Sequence, residues 1–221
     1  MKRKQNRNSR GSHVNRTSLS AQGSVASATL APALGQSRTV AIFRTTLVVF
    51  LGSAFVAICS HISVPLWFTP VPLTLQPFAV LMIGLLLSPR LAAATLFTYL
   101  AEGAAGLPVF ATGFTFTAGF AHLFGPTGGY LLAYPASAYL IAALWRPSSH
   151  SFWNALSTAA VGDLVILAGG ALWLSAFTHA TLGSLLSLAV LPFVPGDVLK
   201  VAAAAAIASG WSRFRSRNQA V

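Results

Sequence analysis

The chain has 221 residues, 55% of them hydrophobic and 8% charged, where an ordinary soluble domain carries about 25% charged residues. That composition excludes a soluble globular protein and points to an integral membrane protein in the lipid bilayer. The formal net charge is +11, but seven of the cations (Lys2, Arg3, Lys4, Arg7, Arg10, Arg16 and Arg38) precede the first apolar run. With no basic–aromatic surface beside them, this charge does not indicate a nucleic-acid partner.

Residues 1–38 are polar, serine-rich, basic and free of acids. They lack the continuous apolar stretch of a secretory signal. They read as a disordered basic tail, and their composition also resembles an organellar transit peptide. Residues 39–212 form the membrane domain. Its first span, 40–60, is long enough at ~1.5 Å per residue to cross a ~30 Å core. Ser53 and Ala57 give it a small-xxx-small spacing that lets a second helix approach closely. The lone cysteine, Cys59, lies here; it excludes an internal disulfide and any cysteine-rich metal site.

Residues 61–77 form a loop with Pro65, Pro70, Pro72 and Pro77 and the bulky Trp67 and Phe68. The apolar runs 78–87 and 91–105 flank Ser88-Pro89-Arg90. They read as two short helices joined by a tight turn, or as one span kinked at Pro89. A second loop, 106–126, is rich in glycine, phenylalanine and threonine. Spans follow at 128–145 and 152–173. Residues 182–194 are apolar but short and read as a packed external segment. The last span is 196–211, and 213–221 is a basic cytoplasmic tail with Arg213, Arg215 and Arg217.

The distribution of cations tests this count. The basic tail, Arg90, Arg146 and the final arginines alternate with loops 61–77, 106–126 and 174–194, which contain no lysine or arginine. Six spans with both termini cytoplasmic put the basic connections on one side; five or seven do not. The expected fold class is an all-α membrane protein with six transmembrane helices, whose external loops form a ligand pocket.

The acids are few: Glu102, Asp163 and Asp197. Asp197 and Lys200 stand at i and i+3, on one face of the last span, near its external end. There they can neutralise each other or grip one polar ligand. Glu102 lies near the external end of the third span and lines the pocket or faces headgroup water. Asp163 is near the middle of the fifth, where an acid is functional by default or bonded to neighbouring helices. His13, His61, His122, His150 and His179 are scattered and read as interfacial. The run Gly125-Pro126-Thr127-Gly128-Gly129-Tyr130 brings backbone close to a ligand or starts a tightly packed helix. No P-loop, H-E-x-x-H or G-x-S-x-G motif occurs, so the chain reads as a binding protein and not as an enzyme.

Four motifs occur in order: Thr69-Pro70-Val71-Pro72-Leu73-Thr74-Leu75-Gln76; Gly103 with Gly106-Leu107-Pro108-Val109-Phe110; Gly125-Pro126-Thr127-Gly128-Gly129-Tyr130-Leu131; and Pro192-Phe193 with Pro195-Gly196-Asp197 and Lys200. Across residues 40–211 these resemble the BioY family, the biotin-capturing S component of energy-coupling factor (ECF) transporters. The resemblance implies a six-helix subunit that binds biotin from outside. It implies work with a membrane-embedded coupling subunit and two cytoplasmic ATPases, or in some members without a dedicated module. It makes Asp197 and Lys200 the acidic and basic ligand contacts, and the Ser53–Ala57 spacing a docking surface for the coupling subunit. The candidate substrate-binding residues are Asp197, Lys200, Tyr130, Gly128, Thr74, Gln76, Phe110, Glu102 and Asp163, with no cofactor and no metal.

The chain departs from the family pattern at Ser88, Pro77, Ala133-Tyr134 and Glu102. It also has no cation in loop 106–126 to meet the biotin carboxylate. Ionised Asp197 only accepts and Lys200 only donates, which suits the ureido N–H groups and an oxygen of the ligand respectively. Trp67, Phe68, Phe110 and Tyr130 are candidates to cover its ring, with loop 61–77 as the lid. The expected location is the bacterial cytoplasmic membrane, or an organellar membrane. Rival readings are a carrier for another small vitamin, an intramembrane enzyme, and a scaffold in which Asp197 and Lys200 merely pair.

Overall fold

A computed structural model of the chain describes residues 17–111, 119–146, 151–178 and 182–218. Residues 1–16 of the basic tail, the middle of loop 106–126, His13, His150, His179 and the last three residues lie outside them. The chain forms two compact units, Met1–Arg44 and Thr45–Val221. In the first, the described residues belong to helix α1 (Thr17–His61). The second contains everything below.

After α1, the loop expected at 61–77 is partly ordered as a two-stranded antiparallel ribbon, β1 (Ser63–Val64) with β2 (Leu73–Thr74), pairing Ser63 with Thr74 and Val64 with Leu73. Helix α2 (Gln76–Leu86) starts on Pro77 in its first turn, where a missing N–H costs nothing. The chain then turns at Leu87-Ser88, and α3 (Pro89–Ala104) begins on Pro89. Proline therefore separates two helices here and does not kink one. A short 3-10 helix, Gly119–Phe124, precedes α4 (Gly128–Trp145). Helix α5 (Phe152–Thr178) is followed by the short α6 (Leu182–Ala189), which falls in the expected external segment. Helix α7 (Val194–Asn218) carries Pro195 in its first turn and starts two residues ahead of the expected 196.

Among the described residues, α1, α2, α3, α4, α5 and α7 thus fall on the six expected spans, although of these only Arg38–His61 and Phe152–Ala176 are each long and apolar enough to cross a membrane unaided. Helix α2, at ~1.5 Å per residue, is only about 17 Å long. The irregular backbone ahead of it lines the cavity described below through Val71, Pro72 and Thr74, the setting in which irregular backbone is tolerated at membrane depth. Large apolar side chains such as Phe50, Leu51, Ile58, Phe97, Leu164 and Leu172 point outward, as lipid-facing positions do.

Helix α4 packs against α2, α3 and α5, and α7 packs against α2 and α5. The α4–α5 crossing is close because it is lined by glycine: a Cβ at Gly169 would stand 2.8 Å from the Ala133 Cβ and 3.1 Å from the Gly129 carbonyl oxygen. Between membrane helices, such small-residue contacts supply the packing that apolar burial cannot. The small-residue pair on α1 faces inward in the same way. Ser53 is fully buried and donates a hydrogen bond to Glu102 on α3, while Ala57 packs on the core. That corrects the docking role expected for this spacing, because Ser53 is spent on holding α1 to α3.

The core has two halves. One centres on Tyr99, Phe110, Tyr130, Tyr134 and Phe193, the other on Leu81, Ile141, Trp145, Ala155 and Ala204. The second half ends in a recess lined by Leu85, Leu86, Leu87, Trp145, Trp211, Arg146, Arg213 and Arg215. The C-terminal ends of α2, α4 and α7 thus gather three arginines at one end of the bundle. Their N-terminal ends build the site at the other.

Candidate functional site

A cavity lies among the N-terminal parts of α2, α4 and α7, the middle of α5, the ribbon loop and the 3-10 helix. Its volume is about 50 Å³, room for a few ordered waters at roughly 10–15 Å³ each. Its apolar wall includes Val71, Leu131, Ile166, Leu167 and Phe193; its polar wall includes Thr74, Gln76, Tyr130, Tyr134, Asp163, Asp197 and Lys200.

Asp197 and Lys200 occupy the first two turns of α7. The turn ahead of them is fixed by the Asp197 N–H, which donates to the Phe193 carbonyl at 2.8 Å. The Lys200 ammonium donates to Asp197 Oδ1 at 2.8 Å. Both side chains are inside the protein, with Asp197 4% and Lys200 9% exposed. Such a pair survives burial when geometry is good and the remaining donors and acceptors find partners. One carboxylate oxygen and two ammonium protons lie outside this bond.

Thr74, Gln76 and Tyr130 also line the cavity, but much of their hydrogen bonding is committed to the protein. Gln76 Nε2 donates to Tyr99 Oη at 2.6 Å, which donates in turn to the Val109 carbonyl at 2.9 Å. Thr74 Oγ1 donates to Gln76 Oε1 at 3.2 Å. The Tyr130 hydroxyl donates to the Ala189 carbonyl of α6 at 2.7 Å. Its ring lies against Gly170, where a Cβ would collide with it. Tyr130 therefore offers the cavity its ring and not its hydroxyl. Phe193 stands beside it, ring centroids 6.1 Å apart.

Asp163 reaches the cavity from α5 and is 6% exposed. Its Oδ1 is buried and has no hydrogen-bond partner among the described residues. Asp163, Leu167 and Asp197 also line an apolar groove between α5 and α7 on the outside of the bundle. These three residues are the partition between that groove and the cavity.

Three expected site residues stand outside the lining. Phe110 lies behind it, stacked on His122 with centroids 5.0 Å apart and meeting Tyr99 edge-on at 5.5 Å. It fills the space over Gly103, where a Cβ would strike its ring. Gly128 opens α4 so tightly that a Cβ would collide with the Leu123 carbonyl. Trp173 closes the same corner by donating from Nε1 to the Gly125 carbonyl at 2.9 Å. Glu102 accepts from Ser53 between α1 and α3. Of the expected aromatic cover, Trp67 is 90% exposed at the tip of the ribbon loop, and neither it nor Phe68 lines the cavity.

Sequence reasoning missed several lining residues: Tyr134, His122, Thr127, Ile166 and Leu167 among them. Helical spacing carried a signal for some. Tyr134 is i+4 from Tyr130, and Ile166 and Leu167 are i+3 and i+4 from Asp163, each on the same face.

The fold and the site together define a membrane-embedded binding protein: a helical bundle with a charged chamber near one end. The BioY family profile matches residues 27–217, and the chain belongs to the BioY family. The match extends further on both sides than the four motifs. A probable biotin transporter BioY of Pyrococcus horikoshii is 41% identical over 163 residues, covering 72% of this chain and 93% of that protein. The biotin transporter BioY of Thermotoga maritima is 35% identical over 156 residues, covering 71% and 88%. A solved S-component for biotin from an ECF-type ABC transporter superimposes with a TM-score of 0.70 at 29% identity, covering 77% of this chain and 92% of that one. The protein is accordingly an integral membrane protein.

Proposed function

We propose that this chain captures biotin from the non-cytoplasmic side for uptake, as the substrate-binding S component of an energy-coupling factor transporter. The observation that carries the reading is the buried, hydrogen-bonded Asp197–Lys200 pair on the wall of the cavity. The relatives named as biotin transporters and the matching biotin S-component support the ligand.

The chemistry follows from the donor and acceptor inventory. Biotin presents a cyclic urea, an apolar thioether ring and a carboxylate tail. The Asp197 carboxylate accepts an N–H of the urea, and the free protons of Lys200 donate to its oxygen. Charge-assisted bonds of this kind are roughly twice as strong as neutral ones. The Tyr130 ring, Phe193, Ile166 and Leu167 cover the apolar ring, with Thr74 and Gln76 at the rim. No bond is made or broken, so the chain acts as a carrier subunit and not as an enzyme. Energy comes from a coupling subunit in the membrane and two ATPases. The arginines gathered at the opposite end of α2, α4 and α7 favour that end as the cytoplasmic one, with both termini there. The ribbon loop, anchored by two residue pairs and by Thr69 Oγ1 donating to the Leu188 carbonyl at 2.9 Å, serves as the lid.

The test is binding of tritiated biotin to the purified protein in detergent, beside a panel of labelled vitamins. Saturable binding displaced by unlabelled biotin alone supports the reading. Preference for another vitamin would replace the ligand while leaving the carrier class intact.

A further inference from the structure

Asp163 is the acid that the pair chemistry leaves unexplained. Lys200 is already bonded to Asp197, so the chamber holds two carboxylates for one ammonium. Asp163 lines the same cavity as both of them, from α5, which packs against α7. Yet its buried Oδ1 has no partner among the described residues. A buried acceptor left unpaired is costly, more so when charged. On its outer side Asp163 borders an apolar groove that offers no donor from its lining side chains except the Trp153 indole. Trp153 is largely exposed on the outside of the bundle. On its inner side Asp163 lines the cavity together with Asp197 and Lys200.

A cyclic urea has its two N–H bonds on opposite sides of the carbonyl, diverging from it. One carboxylate on one side cannot take both. With Asp197 on the first N–H and Lys200 on the oxygen, the second N–H would be buried without an acceptor, a penalty comparable to a lost hydrogen bond. We propose that Asp163 is a third ligand contact whose Oδ1 accepts the second ureido N–H, so that Asp163, Lys200 and Asp197 present acceptor, donor, acceptor to the donor, acceptor, donor edge of the ring. This rests on the biotin reading above and adds the residue that makes the ring edge fully recognised. Two helices, α5 and α7, then divide the urea between them. A ligand lacking either N–H is rejected because it strands a carboxylate.

The experiment measures dissociation constants for biotin and for its two cyclic carbamate analogues, in each of which a ring oxygen replaces one N–H. The full-length wild type and Asp163→Leu are compared, with Asp163→Asn as a second variant. In the wild type both carbamates should bind about tenfold or more weakly than biotin, the loss expected for a hydrogen bond to a charged group. Asp163→Leu removes the acceptor and a buried charge together. It should bind biotin about tenfold or more weakly, and should no longer distinguish biotin from the carbamate lacking the N–H that faced Asp163. Asp163→Asn, which retains a neutral acceptor, should fall between. The inference is overturned if Asp163→Leu binds biotin like the wild type, or if both carbamates lose as much in the variant as in the wild type. Should Asp163→Leu fail to fold, the wild type decides: a carbamate bound as tightly as biotin means that its N–H had no partner, and the inference is wrong. Wild-type protein that does not bind biotin at all would instead sink the proposed function, so the two failures are distinct.

Discussion

Replacing Lys200 with methionine separates a ligand-gripping pair from a merely structural one. The ammonium lies 2.8 Å from Asp197 Oδ1, which at an effective dielectric near 20 is about 6 kcal/mol of gross attraction. After desolvation, breaking a buried pair by removing one partner costs about 3–5 kcal/mol. At roughly 2–4 °C of midpoint per kcal/mol for a chain of this size, Lys200→Met should melt about 6–20 °C below wild type. It should also bind biotin about 10- to 150-fold more weakly, for loss of one charge-assisted donor worth about 1.5–3 kcal/mol. The double variant Asp197→Leu/Lys200→Met removes both charges, and an apolar replacement of a whole buried pair is neutral or stabilising. Its melting point should return to near wild type while biotin binding stays lost. Thermal unfolding in detergent and a radioligand assay read the two quantities on the same samples. Wild-type biotin affinity in the double variant would refute the reasoning, because the pair would then be a helix fastener with no part in recognition.

Other expectations are narrower. Tyr130→Phe should lose about 1 kcal/mol of stability with the bond to Ala189 yet keep its biotin affinity, since the hydroxyl is turned away from the ligand; a large affinity loss by radioligand titration would contradict that orientation. Gly170→Ala should weaken biotin binding more than it lowers the melting point, because the new methyl displaces the Tyr130 ring from the cavity wall. Ser53→Ala should destabilise by about 0.5–1.5 kcal/mol by removing its bond to the half-buried Glu102, with binding unchanged, as thermal unfolding and a radioligand assay would show. Replacing residues 65–72 by an Asn-Gly turn, which suits a two-residue hairpin, should accelerate biotin release in a chase experiment; an unaltered off-rate would argue against a lid.

The helices were legible because apolar length, proline and cation placement all point the same way. Pro89 stops one helix and starts the next, and Pro77 and Pro195 sit in first turns where no N–H is needed. The β1–β2 ribbon was not legible. Two residues per strand leave no alternation to detect, and its register depends on the helix ends that flank it. The charged pair could be read from its i, i+3 spacing. The orientation of Asp163 could not, because a mid-span acid has no assigned face until α5 is rotated against α4 by Gly162 and Gly169. Phe110 and Gly128 belong to motifs that surround the chamber, and Glu102 stands beside one; a one-dimensional motif does not separate a wall from its buttress. Phe110 reaches His122 and Tyr99, and Gly128 reaches Trp173, through contacts between segments far apart in sequence.

The fastening of the ribbon also bears on how quickly a scarce solute is caught. Among the described residues, two short strand pairs, the Leu75 N–H donating to the Ile62 carbonyl at 3.0 Å, and the Thr69–Leu188 bond tie the segment to its surroundings. Val71 and Thr69 are buried, and Leu66, Leu73 and Leu75 pack on the core, so a ribbon that acts as the proposed lid opens only at the cost of apolar contact as well as of hydrogen bonds. Encounter would then be throttled by the fraction of time the mouth is open, while departure is slowed by the same latch. Such a trade favours retention over speed, as a scavenger working at trace supply requires.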